Sequence, residues 1–494
     1  MGRGVLSIAA LLALAGCGFK SNTPGGIAGG AGSVAGWAGS GGSAAGTGGR
    51  AGATGGVAGM AGLGGTGMVS GPWARRFGGT GRDVGIDVAV DPSGNVVLTG
   101  YFTGTVDFGG GPLTGPGRSI LVAKFAPDGM HLWSKRFGGT GESDYGGSVA
   151  TDAAGNILVT GAFGTSVDFG GGRLTSAGDR DVFVAKFSPD GGHLWSKRFG
   201  DASSDQGWSV AVDTAGSAVL TGHFVGTVDF GSGPLTSAGG SDIFVARFGS
   251  DGHLVWSTRF GGTATDAGWN LALDGLGNIL LTGSFRESVD FGGGPLTSAG
   301  GSDIFAVKLG SDAGHVWSRR FGGTQGDLGR GITTDGAGNV VLTGHFHGTV
   351  DFGGGGLASA GGPDAFLVEL TPNGFHLWSK RFGGFGNDRG TSVAAGGRGT
   401  ALLTGHLSDV VVFGGGKLTS AGAEDTYVAK FAADSTHIKS RRFGGIGVDE
   451  GWGIAADAAG NIVFTGYFND SADFGGGNVV SAGDRDIFVS KFTP

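Results

Sequence analysis

Cysteine is nearly absent from this sequence: its 494 residues contain one, Cys17. A folded domain built from this chain therefore has no internal disulfide and depends on packing. Charged residues are also scarce, at 15%, and the net charge is only -8. This balance lacks the basic surface of a nucleic-acid-binding protein, so we expect no nucleic-acid partner. Sustained helical periodicity is missing as well, which argues against a helical fold.

Glycine and aromatic residues are abundant instead. The chain has 115 glycines, yet 39% of it is hydrophobic, with 34 Phe and 10 Trp. Disordered chains are poor in aromatic residues because they have no core to bury. The composition therefore indicates a folded protein with many turns.

The first residues have the pattern of an export signal. A basic residue, Arg3, precedes an apolar run over 5–15 that is too short to cross a bilayer. The run ends in Leu-Ala-Gly-Cys17, which resembles the lipobox of bacterial lipoproteins. The resemblance implies a signal peptide at 1–16, lipidation of Cys17, and a membrane anchor, with the outer membrane or cell surface favoured. An ordinary secretory signal with an incidental cysteine is the alternative.

Residues 17–71 form a segment rich in Gly, Ala and Ser with almost no charge. Ordering so much glycine costs more conformational entropy than its few apolar side chains return. We expect a disordered, flexible linker whose ends lie about 40 Å apart on average. Such a tether holds the folded part, residues 72–494, away from a membrane.

From Trp73 onward the chain repeats itself. Arg-Phe-Gly recurs seven times at intervals of about sixty residues, with its Phe at Phe77, Phe137, Phe199, Phe260, Phe321, Phe382 and Phe443. The second unit shows four strand-like runs, at 148–152, 156–161, 181–187 and 193–199, separated by Gly, Asp, Asn and Pro. Four short antiparallel strands in each unit are typical of a propeller blade.

The two ends of the repeat region distinguish a closed ring from an open solenoid. The last unit stops after its third strand, near Phe492, whereas Trp73–Phe77 is an extra copy of the fourth. We therefore predict an all-β fold, a seven-bladed β-propeller of four-stranded antiparallel blades closed by its N-terminal strand. Closure also protects a strand edge that would otherwise invite aggregation.

The repeat resembles the bacterial family of seven-bladed propeller repeats called SBBP. The resemblance rests on Val-Asp-x-x-Gly-Asn, on Asp-Val-Phe-Val-Ala-Lys-Phe and on His-Leu-Trp-Ser-Lys, and it extends over nearly all of 72–494. It implies the propeller fold and a surface location, and it brings no shared catalytic residues. We expect the Trp of the fourth strand to pack between blades. Blade six, with Lys439 in place of that Trp and Leu407 in place of a Phe, is expected to be the loosest.

Asp-x-Gly is the most regular polar motif, and it precedes the inner strand of every blade. Its aspartates are Asp83, Asp144, Asp205, Asp266, Asp327, Asp388 and Asp449. Seven carboxylates around one mouth of the ring are candidates for a cation such as Ca²⁺, the only cofactor that we consider. The alternative is that each Asp caps its own turn and pairs with the Arg of Arg-Phe.

The residue directly after Asp-x-Gly breaks the symmetry of the repeat. In blades one to seven, in that order, this residue is Ile86, Gly147, Trp208, Trp269, Arg330, Thr391 and Trp452. Trp208, Trp269, Arg330 and Trp452 are our candidate ligand-binding residues, because an aromatic rim with an Arg suits a sugar or a peptide. Packing between blades is the alternative. His345 and His347 share a strand face and form a weaker metal-binding candidate.

No catalytic signature occurs in the repeats. The sequence favours a monomeric, lipid-anchored binding or scaffolding module at the cell surface, with a glycan or protein as ligand. An enzyme, either a polysaccharide lyase or a glycosidase, is the first alternative. It requires two carboxylates close together or a His/Tyr/Arg cluster. The non-repeat acids Glu287, Glu369, Glu424 and Glu450 fall at different points of the repeat and are expected not to meet. An accessory role in outer-membrane assembly is the second alternative.

Overall fold

The computed structural model describes residues 72–493, apart from 139, 140 and 142. The signal peptide, Cys17 and the linker predicted for 1–71 lie outside the described residues. The described chain folds into seven four-stranded antiparallel sheets. This confirms the all-β, seven-bladed propeller. In the part of the chain that the structure describes, no helix is long and apolar enough to cross a membrane.

Each blade runs from an inner strand at the axis to an outer strand at the rim. The inner strands are Val84–Val90, Tyr145–Thr151, Gln206–Val212, Ala267–Leu273, Leu328–Thr334, Arg389–Ala395 and Asp449–Ala456. The second strands are Val96–Asp107, Ile157–Phe163, Ala218–Phe224, Ile279–Phe285, Val340–Phe346, Ala401–Leu407 and Ile462–Phe468. The third strands are Pro112–Phe125, Asp181–Phe187, Asp242–Phe248, Asp303–Leu309, Asp364–Leu370, Asp425–Phe431 and Asp486–Phe492. The outer strands are Trp73–Phe77, His131–Phe137, His193–Phe199, Leu254–Phe260, His315–Phe321, His376–Phe382 and His437–Gly445.

A short hairpin between the second and third strands was not expected from the sequence. In blade one it extends those two strands; in the other six blades it is a separate pair of three-residue strands. The pairs are Ser166–Asp168 with Arg173–Thr175, Thr227–Asp229 with Pro234–Thr236, Ser288–Asp290 with Pro295–Thr297, Thr349–Asp351 with Gly356–Ala358, Val410–Val412 with Lys417–Thr419, and Ser471–Asp473 with Asn478–Val480. Three residues are too few to show an alternating pattern of apolar and polar side chains, so the sequence shows no sign of these strands.

The ring closes through strands from opposite ends of the described chain. Trp73–Phe77 pairs antiparallel with the third strand of blade seven, from Trp73 against Lys491 to Phe77 against Ile487. The blade that the C-terminal residues leave with three strands thereby gains its fourth. The predicted closure is confirmed.

The core lies between neighbouring blades, with a cluster of buried aliphatic and Phe side chains at each junction. The Trp of the outer strand adds a polar latch across the same junction. Its indole N–H donates to a carbonyl in the next blade's last turn, as from Trp133 to Pro189 at 3.1 Å. The other latches are Trp73 to Pro127, Trp195 to Ser250, Trp256 to Ser311, Trp317 to Pro372 and Trp378 to Ala433. Packing of these Trp residues between blades is confirmed.

Blade six differs from the others in ways that follow from its place in the ring. Its neighbour, blade seven, takes its outer strand from Trp73–Phe77, so that blade has no turn between its third and outer strands. Blade six has Lys439 where six other outer strands have the Trp that donates across the junction. A 3-10 turn at Gly397–Gly399, in place of the usual Asp turn, holds Arg398 at a φ of 61°. That blade six is the loosest stays a prediction.

Candidate functional site

The inner strands of all seven blades share one irregularity near their first residues. In each blade the pairing with the second strand slips by one residue after the glycine of Asp-x-Gly, for example between Gly207 and Ser209. The skipped residue forms a β-bulge, and a bulge re-aims its side chain relative to a regular strand. The seven bulge residues are Ile86, Gly147, Trp208, Trp269, Arg330, Thr391 and Trp452.

All seven bulge residues line a single cavity at one end of the ring axis. The cavity contains about 770 Å³ of unfilled space, counting the part that is open to solvent. The structure therefore brings together the four candidate ligand-binding residues, Trp208, Trp269, Arg330 and Trp452. Whether they bind a ligand stays a prediction, but the geometry that such a site requires is present.

Three of the four candidates, Trp208, Trp269 and Arg330, contact one another and form an aromatic and cationic surface. The Trp208 and Trp269 rings have centroids 4.9 Å apart and are tilted by 52°. The Arg330 guanidinium lies 4.3 Å from the centre of the Trp269 ring. Burial lowers the pKa of Arg330 to about 10, so it stays charged at neutral pH. The indole N–H of Trp452 donates to Glu450 at 3.1 Å.

The Asp of Asp-x-Gly caps the loops of its own blade. In blade one, Asp83 accepts the amide of Gly79 at 2.8 Å and that of Thr103 at 3.0 Å, which ties the loop before the inner strand to the one after the second. All seven of these carboxylates are buried. The described residues contain no group of three or more His, Cys, Asp or Glu side chains suited to a metal ion. Calcium binding by the seven Asp, and metal binding by His345 and His347, stay predictions that this geometry does not support.

In six blades the Arg of Arg-Phe is not salt-bridged to the Asp of Asp-x-Gly that was expected to be its partner. That Arg instead forms its salt bridge with the buried Asp that begins the third strand, as Arg198 does with Asp181. Blades three to seven have the same salt bridge. In blade one Ser119 takes the place of that Asp and accepts from Arg136 at 3.2 Å.

The glycine of Asp-x-Gly is needed for contact between blades. A Cβ atom on Gly146 would lie 2.1 Å from the hydroxyl oxygen of Thr99 in the preceding blade, and the other six junctions have the same close approach. The Thr hydroxyl in turn donates to a third-strand carbonyl, from Thr99 to Leu121 at 2.8 Å. The motif is therefore invariant for structural reasons, whereas the bulge residue beside it is free to vary.

A second variable position, at the end of the second strand, also faces the mouth. Its seven residues are Tyr101, Ala162, His223, Ser284, His345, His406 and Tyr467. His345 and His406 line the cavity and are only 5% and 3% exposed, and their Nδ1 atoms have no hydrogen-bond partner among the described residues. Burial lowers the pKa of both imidazoles, so both are neutral at pH 7. Sequence reasoning grouped His345 with His347 and missed its partnership with His406.

Two acids that were expected not to meet do meet at this mouth. Glu424, just before the third strand of blade six, shares a hydrogen bond with Glu450, at the start of blade seven. Burial and the charge of Glu450 raise the pKa of Glu424. Burial alone would raise the pKa of Glu450, but His406, the Tyr467 hydroxyl and nearby Arg side chains outweigh it and lower that pKa. Glu287 and Glu369 lie elsewhere, each hydrogen-bonded to a neighbour in its own blade.

The fold and this site define a seven-bladed β-propeller with a decorated axial mouth. The sequence model of the SBBP β-propeller repeat matches residues 132–162, which run from the outer strand of blade one through the first two strands of blade two. The chain is 24% identical over 478 residues to an uncharacterised WD repeat-containing protein of Acanthamoeba polyphaga mimivirus, with 81% of this chain and 30% of that protein covered. It is 25% identical over 290 residues to the regulatory protein FlaEY of Caulobacter vibrioides, with 54% and 30% covered. The chain thus spans about 30% of the length of these two relatives.

Solved structures with a similar arrangement include other propellers. The WD40 domain of Neurospora crassa Pan2 aligns with a TM-score of 0.42 and 9% identity, covering 84% of this chain and 92% of that one. BamB from Moraxella catarrhalis aligns with a TM-score of 0.35 and 10% identity, covering 82% and 96%. Similarity at this level concerns the fold.

Proposed function

We propose that this protein is a binding module that takes its ligand in the axial cavity, and that Cys17 anchors it by a lipid to the outside of a cell. One observation carries the binding proposal. Every blade keeps the residues that build the mouth, Asp, Gly and Thr, and varies the bulge residue that points into it. A repeat that needed only to close a ring would have no use for Trp at three of its bulges and Arg at a fourth.

The cavity has the composition of a small-ligand site. Aromatic faces from Trp208 and Trp269 lie beside a fixed cation, Arg330, and beside two neutral imidazoles with unused ring nitrogens. Ligand sites of this kind combine apolar walls with a few placed polar groups that fix the orientation of the ligand.

The test is ligand binding by the purified full chain, screened against a glycan and peptide array and followed by Trp fluorescence. We expect a hit whose affinity falls at least tenfold in a Trp208→Ala, Trp269→Ala double variant. Phe385→Ala, which removes an aromatic side chain that is 84% exposed and outside the cavity, is the matched control and should bind normally. Equal loss in both would contradict the proposal. The anchor is tested separately: Cys17→Ser should release the chain from membranes.

Hydrolysis by paired carboxylates fits this mouth poorly. The two carboxyl groups of a glycosidase stand about 5 Å apart or more, whereas Glu424 and Glu450 are in hydrogen-bonding contact. The second candidate function, a lyase, is favoured by the meeting of His406, Tyr467 and Glu450 near Arg389. Shortening of a bound polymer, abolished by His406→Asn, would move the assignment to an enzyme.

A further inference from the structure

The arginines of this protein fall into two structural groups. Those of the Arg-Phe repeat pair with a buried Asp in six blades. A second group has five members: Arg330 and Arg389 line the axial cavity, and Arg118, Arg180 and Arg485 are neighbours of Tyr145, His223 and Glu450, which lie at or beside it. Within residues 72–493 as described, no carboxylate lies within 4.0 Å of any of the five side-chain charges, and no hydrogen bond from their guanidinium groups is found.

Four of these guanidinium groups are partly buried, and their buried Nε–H groups lack a hydrogen-bond acceptor among the described residues. The Nε atoms of Arg118, Arg180, Arg389 and Arg485 are buried and have no hydrogen-bond partner in the described part of the chain. Leaving a buried donor unsatisfied costs free energy, and the cost is larger for a charged group. Four such donors around one opening are costly for the free protein, and an acceptor supplied from outside would remove that cost.

Aromatic rings hold several of these cations by their flat faces. Arg118 lies 3.4 Å from the centre of the Tyr101 ring, and Arg485 lies 4.1 Å from that of Tyr467. Arg330 lies over Trp269 in the same way. Stacking uses the face of a guanidinium and leaves its N–H edge free, and that edge matches a carboxylate in a two-point contact. The arginines are thus fixed in place for an anion.

The surroundings limit how strongly charged that anion is. Five arginines face at most three carboxylates, Asp87, Glu424 and Glu450, of which Asp87 is already occupied by Ser148 and two backbone amides. The mouth therefore has an excess of positive charge, but its own acids repel a densely charged phosphate chain. The neutral His345 and His406 offer hydrogen bonds suited to hydroxyl groups.

We propose that the ligand of the axial cavity is an acidic saccharide, a glycan containing uronate residues. Each part of such a sugar has a counterpart in this region of the protein: the unpaired arginines for the carboxylate, the two histidines for the hydroxyls, and Trp208 and Trp269 for the C–H face of the ring. This inference rests on the proposed binding function and specifies its ligand class.

The experiment compares each uronate oligosaccharide with its own methyl ester, using the full chain and calorimetry. The probes are short oligomers of galacturonate, glucuronate and mannuronate, with tripolyphosphate and a peptide with a free terminal carboxylate as further arms. We expect at least one oligouronate to bind and its ester to bind at least tenfold more weakly. Because this comparison uses the unaltered protein, it does not depend on any variant folding.

Variants then assign the effect to the mouth. Arg330→Gln with Arg389→Gln should weaken oligouronate binding at least tenfold and flatten its salt dependence. Arg173→Gln, which changes an exposed arginine of an outer hairpin, should leave both unchanged. An ester that binds as tightly as the acid, tighter binding of tripolyphosphate or the peptide, or no uronate binding at all would overturn the inference. If a neutral ligand binds and the Trp208, Trp269 double variant loses it, the inference fails while the proposed function stands.

Discussion

Single residues in this propeller show which parts of the repeat are structural. In six blades an Asp ends the first strand of the short hairpin and caps its glycine turn; Asp351 accepts the amides of Gly353 at 2.7 Å and Gly355 at 3.0 Å. Both glycines have a φ near +105°, a conformation that glycine adopts without strain. Blade six has Val412 in the place of the Asp, and 51% of that side chain is exposed.

We predict that Val412→Asp stabilises the protein. The new carboxylate would accept the amides of Gly414 and Gly416, and exchanging an exposed valine costs little, so the gain should be about 1 kcal/mol in the free energy of unfolding. Urea denaturation measures it. The reverse change in blade five, Asp351→Val, is the matched control and should destabilise by a similar amount. No change in either variant would mean that the cap contributes nothing.

At the scale of the strand, the third strand of five blades carries a cation that contacts two neighbours, an Asp of its own blade and a carbonyl of the next blade. Lys124 pairs with Asp91 of its own blade at 2.8 Å and donates to the Pro189 carbonyl of the next blade at 2.9 Å. Blade five has Glu369 at this position, 2% exposed and close to Asp335. Burial and the charge of Asp335 raise the pKa of Glu369. Blade five therefore has two acids at the positions where five other blades have an ion pair.

Glu369→Lys should therefore stabilise blade five. The lysine would pair with Asp335 and reach the Ala433 carbonyl, which already accepts from Trp378. We expect a gain of about 2 kcal/mol, the scale of hydrogen bonds to charged groups. Lys308→Glu in blade four creates the opposite defect and should destabilise by at least as much. The urea midpoint of each variant gives the answer, and a destabilised Glu369→Lys protein would indicate that the acid has a role of its own.

Much of the architecture was predictable because a comparison of seven copies of the repeat separates its invariant residues from its variable ones. The intervals of about sixty residues gave the blade number, and the spare strand at Trp73 gave the closure. Comparing copies also located the bulge, since Trp208 and Arg330 stand out only against an invariant Asp-x-Gly. The contact between Glu424 and Glu450 was missed because repeat position does not reveal proximity across blades. Glu424 lies just before a third strand and Glu450 near the start of an inner strand, and adjacent blades bring these two positions together.

At the scale of the whole molecule, a set of buried acids links stability to pH. Burial is the largest cause in each case, and it raises the pKa of Asp83, Asp205 and Asp449 to about 7 and that of Asp266, Asp327 and Asp388 to about 6. An unfolded Asp titrates near 3.8. The folded state therefore binds more protons than the unfolded state between these values, and its stability falls as the pH rises through this window.

We predict a higher melting temperature at about pH 6 than at about pH 8. Four histidines with lowered pKa values, His223, His345, His406 and His437, act in the opposite direction below about pH 6.5, where the unfolded chain takes up their protons. We expect the effect of the six acids on stability to dominate because they outnumber the four histidines. Calorimetry at constant ionic strength measures the difference, and a melting temperature that drops on acidification from pH 8 to pH 6 would contradict the assignment.

The closing strand has a mechanical consequence. Trp73–Phe77 is the first strand after residue 72 and also the rim of blade seven, attached by five residue pairs to Ile487–Lys491. A force applied from the N-terminal side acts on these five residue pairs before it reaches the rest of the propeller. Against such a force the propeller is only as strong as these five residue pairs, and their separation would expose the edge of one blade while six blades stay intact.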